Sequence, residues 1–277
     1  MKVLLIGAFM VSVSCFAQSY RVSSTAKKMV AFHIGMANNR FLPSNFMMKG
    51  NYFNLRINNA RFESVTSPFN LSQFFSSSMH VGMGWNVRKN LQVMVGLDNL
   101  KYQLTPQVLS ITGSVKPNYD QLGGFSGSYQ NTPVAMDTVG FTIEMTNVRF
   151  ISLQLNRLVP LIHSRNNIFA VVGTYGAGLG ALHSEYNFNF GPSKQEQLSS
   201  LSGIGGFMNF GVRLEFFGRV YLLPSLSGGV LVQKNLRMDL SEANQTAQQQ
   251  LWFGQANLSL GTTLFPGKRK NCDCPHF

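Results

Sequence analysis

The chain has 277 residues, 23 Lys+Arg against 11 Asp+Glu, and a formal net charge of +12. Only 12% of residues are charged, about half the usual share of a soluble domain, while 44% are hydrophobic and 12% aromatic. That composition excludes a disordered tail and argues against a charge-coated soluble enzyme. A nucleic-acid binder would rest on the basic balance alone.

Met1-Lys2 is a short positive start, residues 3–13 are apolar, and Ser14-Cys15-Phe16-Ala17 offers small residues for cleavage after Ala17. This is the pattern of a secretory signal peptide, too short to span a membrane. An exported chain does not meet cellular DNA, so its positive charge must serve something else. Residues 18–28 read as a periplasmic lead-in, 29–265 as one domain and 266–277 as a basic tail. No apolar run of 18 or more residues follows the signal peptide. A membrane location therefore requires a closed β-barrel, because lipid cannot satisfy open strand edges.

Period-two alternation predicts eight strands, at 29–37, 77–87, 91–100, 149–157, 168–182, 206–216, 220–231 and 252–265. In the second, Met79, Val81, Met83, Trp85 and Val87 alternate with His80, Gly82, Gly84 and Asn86. Pro224 and Gly228-Gly229 predict a bulge or kink in the seventh. The connections alternate strictly between short and long. Arg88-Lys89-Asn90, residues 158–167 and Phe217-Gly218-Arg219 are short; 38–76, 101–148, 183–205 and 232–251 are long. Tight periplasmic turns and long external loops characterise outer-membrane barrels. The expected fold is an all-β, antiparallel transmembrane barrel of eight strands. In the first long loop, Tyr52 to Ile57, Asn58-Asn59 and Ala60 to Val65 read as a hairpin above the membrane. Counting it would give ten strands, but its arms are shorter than a spanning strand needs.

The chain resembles the small outer-membrane β-barrels of Bacteroidota, a broad group that includes PorT-like proteins. The resemblance covers nearly all of the mature chain. It lies in the architecture, in Arg149-Phe150-Ile151-Ser152-Leu153-Gln154-Leu155 followed by a Gly-rich fifth strand, and in the basic C-terminal tail. PorT-like members imply help with protein secretion. The tail departs from the many barrels that end on a strand aromatic.

On the polar strand faces, His80 and Asp98 are expected to oppose each other across the first tight turn. A His–carboxylate pair can orient a catalytic imidazole, but it also serves as part of a plug of mutually satisfied groups. Arg213 and Glu215 share the lumen face near the periplasmic end, and His33 can join them; a buried salt-bridge network is the expected role, an ion path the alternative. Cys272 and Cys274, with His276, form a tail that suits a disulfide or a soft metal lacking its fourth ligand. Asp137-Thr138-Val139 resembles a Bacteroidota O-glycosylation acceptor at Thr138. The first long loop carries ten aromatic and Met residues, suited either to a partner-binding surface or to a small core of its own. No phosphate loop, paired-His metal motif or nucleophile elbow is present, and no cofactor is expected.

The basic residues have a predicted location. Arg21, Lys27, Lys28, Arg88, Lys89, Arg157, Arg165, Arg219, Lys268, Arg269 and Lys270 all fall at the periplasmic rim, with Asp273 the only acid there. Such a ring can meet membrane lipid phosphates or an acidic periplasmic partner. The leading functional expectation is a non-enzymatic scaffold or accessory subunit of an envelope assembly. The alternatives are a binding or adhesion barrel acting through external loops 1 and 2, a narrow pore, and a lipid-modifying enzyme.

Overall fold

The computed structural model describes residues 28–64, 78–117, 125–136, 140–164, 168–189, 196–238 and 244–264. The signal peptide, Arg21, Lys27, Thr138, Arg165, Lys268, Arg269, Lys270, Cys272 and Cys274 lie outside these residues. Thirteen strands form among them: β1 (Val30–Phe41), β2 (Ser44–Lys49), β3 (Phe53–Ala60), β4 (Phe62–Ser64), β5 (Met79–Arg88), β6 (Leu91–Leu104), β7 (Val108–Val115), β8 (Gly127–Ala135), β9 (Thr142–His163), β10 (Phe169–Asn189), β11 (Glu196–Phe216), β12 (Val220–Arg237) and β13 (Thr246–Leu264).

Eight of them close a ring, in the order β1-β5-β6-β9-β10-β11-β12-β13, with β13 pairing back onto β1. Every neighbouring pair in the ring is antiparallel. Bonded partners can be followed once round, from Gly35 through His80, Asp98, Phe150, Leu182, Gly203, Gln233 and Gln249. The circuit returns at Phe46, not at Gly35. It thus lands roughly ten residues further along the same edge of β13, a stagger that goes with strands tilted by about 35–45°.

Each of the eight periodic segments lies in one ring strand, but several ring strands run further: β9 starts at Thr142 and continues to His163, through most of the connection expected at 158–167. The long connections hold the rest of the difference, because they contain five further strands. β2 continues β1 along β13 after a break at Leu42-Pro43. β3, β7 and β8 add to β2 in turn, and β4 takes the place of β5 beside the far end of β6. The first-loop hairpin is therefore β2–β3, turning at Gly50 to Tyr52. Asn58-Asn59 does not form its turn, since β3 pairs with β2 and β7 while β4 pairs with β6. The irregularity in β12 also moves. Its bulge lies between Gln233 and Leu236, where Asn235 has φ 57°, and not at Gly228-Gly229. At the other end, Phe217 and Gly218 both have positive φ and close the two-residue turn of β11–β12, in the manner of a type I′ hairpin.

Along each long strand the side-chain polarity inverts partway. On β9, exposed Ile151, Leu153 and Leu155 alternate with buried Ser152, Gln154 and Asn156; from Arg149 outward, Arg149 and Thr142 are exposed while Phe150, Val148, Met145 and Ile143 are buried. A bulge at Thr146-Asn147 keeps Met145 on the inner face. On β13, exposed Leu260, Leu258 and Trp252 give way to exposed Gln250 and Gln248, while inner Asn257 and Gln255 give way to Phe253 and Leu251. β6 changes between Leu97-Asp98 and Asn99-Leu100. One half of the barrel is thus apolar outside and polar inside, as a bilayer requires. The other half has water-soluble polarity, with a core that includes Phe46, Leu55, Ile57, Ile111, Phe141, Phe188 and Leu251. In this second half Tyr102 is fully buried, which pushes its hydroxyl above the usual phenol range, and it donates to Gln233 Oε1 at 2.9 Å.

This inversion predicts unequal responses to a buried-versus-aqueous test charge. Leu153→Arg should destabilise the protein folded into lipid by ~2–4 kcal/mol, whereas Gln250→Arg on the outer face of β13 should stay within ~0.5 kcal/mol. Denaturant unfolding of both variants in vesicles measures the difference.

Candidate functional site

A line of polar side chains from six strands crosses the lumen of the apolar-belted half. Asp98 of β6 accepts from His80 Nδ1 of β5 at 2.7 Å. His80 Nε2 faces His33 Nε2 of β1 at 3.0 Å, and the two imidazoles stack with centroids 5.0 Å apart. His33 Nδ1 lies 3.2 Å from the Tyr221 hydroxyl of β12, which donates to the Phe32 carbonyl at 3.1 Å. The Arg213 guanidinium of β11 sits 3.8 Å over the Tyr221 ring. Arg213 Nε is 2.7 Å from Glu215 Oε1, a charge contact out of line with the N–H bond. At the other end Gln255 Nε2 of β13 donates to Asp98 Oδ1 at 3.1 Å.

A consistent set of hydrogen-bond directions runs from the Phe32 carbonyl through Tyr221, His33 and His80 to Asp98. With the Tyr221 proton on the Phe32 carbonyl, His33 donates from Nδ1 to the Tyr221 oxygen. His33 Nε2 then accepts from His80 Nε2–H, and His80 Nδ1–H donates to Asp98. His80 becomes a two-fold donor held against a carboxylate.

The five lumen residues singled out by sequence are all placed here. His80 pairs directly with Asp98 in the β5–β6 ladder, although the turn carries a bulge at Val87 and Arg88, not Val87, opposes Leu91. The lumen network of His33, His80, Asp98, Arg213 and Glu215 contains two paired groups, His80 with Asp98 and Arg213 with Glu215. Strand tilt brings the two groups together, with His33 and Tyr221 between them. Tyr221 was missed, because an aromatic residue next to Val220 and Leu222 reads as ordinary strand apolarity. Gly82 and Gly261 were missed as well. A Cβ on Gly82 would collide with the His33 ring, and one on Gly261 with the Tyr221 ring. Glycine on the inner face is the sequence signal that large lumen side chains lie opposite.

The lumen has little other space. The cavity beside the chain measures about 50 Å³, room for a few waters. Gln154, Asn209, Ser227 and Asn257 line it and bond to one another or to Gln255. His80 Nε2 is occupied by His33 and does not meet a hydroxyl or thiol nucleophile. Among the described residues, no cluster of three or more His, Cys, Asp or Glu could hold a metal.

At the short-turn end, Lys28, Arg88, Lys89 and Arg157 are exposed and Arg219 is half-buried. The Lys28 amide donates to the Asn86 carbonyl and ties the chain entry to that end of β5.

No protein-family profile and no curated protein matches the chain. Solved outer-membrane barrels are similar in outline. The N-terminal β-barrel domain of Pseudomonas aeruginosa OprF is 9% identical, with 86% of this chain and 98% of that chain covered and a TM-score of 0.35. Ail, the attachment invasion locus protein of Yersinia pestis, is 11% identical over 86% and 99%, at 0.34. AlkL, an outer-membrane protein solved in lipid bilayers, is 8% identical over 90% and 95%, at 0.43.

The lumen network predicts a strong asymmetry between single and double variants. Glu215→Leu should cost ~3–5 kcal/mol, because it leaves Arg213 buried without its carboxylate, while Arg213→Met with Glu215→Leu should cost distinctly less. Unfolding free energies in lipid vesicles measure both.

Proposed function

We propose that the chain is an integral outer-membrane barrel that works as a non-enzymatic, surface-facing binding protein through its folded external half. The observation that carries this reading is the sheet β2-β3-β7-β8. Long loops that served only to link strands would need no core. These instead bury Phe46, Met48, Leu55, Ile57, Leu109 and Ile111 on one face. The opposite face presents Lys49, Asn54, Arg56, Ser114, Ser128 and Gln130 to solvent. Asn58 Nδ2 donates to Thr112 Oγ1 at 3.2 Å and to Asn131 Oδ1 at 3.0 Å, which sets part of this face in a fixed arrangement. A rigid, amide- and hydroxyl-rich platform suits a polar ligand at the cell surface. The closed, hydrogen-bonded lumen supports a membrane anchor more than a pore.

A second reading has a specific observation behind it. Lys28, Arg88, Lys89, Arg157 and Arg219 gather at the short-turn end, and an accessory subunit could use that rim to dock an acidic periplasmic partner. Export by the signal peptide is part of both readings.

Placement of the platform outside the cell tests the first reading. With the native cysteines replaced, Arg56→Cys should react with a membrane-impermeant maleimide on intact cells, and Lys89→Cys only after the outer membrane is opened. The reverse pattern, or equal labelling, would contradict it. For the rim, Arg88→Glu with Lys89→Glu should leave the barrel folded and loosen any protein that copurifies in mild detergent.

A further inference from the structure

The lipid-facing side of the barrel carries a groove of about 700 Å³, a size that takes a small-molecule ligand. Leu153, Leu179, Met208, Val230 and Trp252 form its walls, and Gly206 and Gly228 its floor. The barrel itself does not demand the glycine at 228. A Cβ there would meet only the Phe253 carbonyl oxygen at 3.7 Å, an ordinary contact. At Gly254, the partner of Gly228 in the β12–β13 ladder, a Cβ would meet nothing within 4 Å. Glycine weakens a strand, so outward glycines that no neighbour requires leave room for something outside the protein.

The outward face flanking the groove on its external side is charged. On three of the bordering strands the residue four places beyond a wall residue is basic or imidazole: Arg149 beyond Leu153, His183 beyond Leu179, Lys234 beyond Val230. All three lie on the outward face, about 13 Å along the strand from the wall residue. Arg237 is exposed further up β12. The acids nearby are Glu185, 3.4 Å from Arg149 in a partly exposed ion pair, and Glu144, outward on β9. Arg149, Lys234 and Arg237 outnumber these two carboxylates and leave this edge positive. An apolar slot with a cationic lip is complementary to one class of membrane molecule.

We infer that the groove binds a single phosphate-bearing lipid of the outer leaflet, with an acyl chain over Gly206 and Gly228 and the phosphate at Arg149 and Lys234. This rests on the barrel spanning a membrane. Binding does not require the lumen or the external sheet to act, and it gives the barrel a fixed lipid neighbour on one side only.

Trp252 is a built-in reporter, since it lines the groove, and Trp85 is the only other tryptophan. A Trp85→Phe protein would be placed in phosphatidylcholine vesicles containing a small fraction of lipid with brominated acyl chains, either phosphatidic acid or phosphatidylcholine. Trp252 quenching should show about five-fold preference for the phosphatidic acid, weakened by raised salt. Gly228→Leu, whose Cβ would make only an ordinary contact with the Phe253 carbonyl, should abolish the preference; Arg149→Gln with Lys234→Gln should reduce it to about one. Equal quenching by the two lipids in the parent protein, or a preference that survives Gly228→Leu, would overturn the inference. No quenching of Trp252 by either lipid, nor of Trp85 in a Trp252→Phe protein, would instead overturn the membrane reading on which it rests.

Discussion

A hydrocarbon layer offers no partner to a backbone N–H or C=O, and the rest of this structure follows from that constraint. An antiparallel sheet can meet it only by joining its own edges. The pairing of β13 with β1 does so, and the stagger of that closure sets the strand tilt. Closure also fixes two environments for each strand, since alternate residues must face lipid or the interior. In an eight-stranded ring the interior is too narrow to stay open and must be filled by side chains. Those side chains are polar here, so they must satisfy each other. The line from Glu215 through Arg213, Tyr221, His33, His80 and Asp98 to Gln255 is the result.

The same alternation, continued beyond the bilayer, runs with the opposite sign. Once water replaces lipid outside, apolar residues gain by turning inward. The strands do not end there. They carry on as a second, conventionally packed body whose core residues occupy the same inner positions as the lumen amides below. Trp85 and Trp252 stand near opposite ends of the apolar belt, the one three residues before Arg88, the other two residues below Gln250. That placement matches the preference of indole for the membrane–water boundary. A rigid anchor that grades into a rigid external platform is a sound basis for recognition. The few charges and the excess of basic ones then have distinct explanations. Lipid disfavours charge on most of the outer wall, and apart from buried Arg213 the described cations lie towards the two ends of the barrel.

What could be read from the sequence divides along the same line. The eight ring strands were legible because apolar residues recur at alternate, outward positions, as from Met79 to Val87 on β5. Opposition of His80 and Asp98 was legible too, since the two-residue turn at Lys89-Asn90 plus the bulge at Val87 gives the same register as the three-residue turn expected. β2, β3, β7 and β8 were not resolved as a sheet. They are short, their apolar residues face a local core, and their partners come from loops some sixty residues apart, a pairing that no local pattern encodes. Asn58-Asn59 looked like a hairpin turn. Asn59 indeed has a positive φ of 55°, but at that point the chain passes from one sheet edge to another. Tyr221 escaped because only the tilt of the ring shows that β12 carries it towards His33. The groove over Gly228 escaped because an outward glycine in a strand looks the same whether it marks a bulge or a cleft.

The central claim is that side-chain polarity inverts along continuous strands at a membrane boundary. Single spin labels placed in turn along β13, with the protein in lipid bilayers, test it directly by comparing accessibility to oxygen and to a water-soluble nickel complex. Labels at Leu260, Leu258, Ala256 and Trp252 should favour oxygen, those at Gln250, Gln248 and Thr246 the nickel complex, and those at Ser259, Asn257, Gln255 and Leu251 should reach neither. Nickel access at Leu260 and Leu258, or a profile without the two-residue period, would contradict the account.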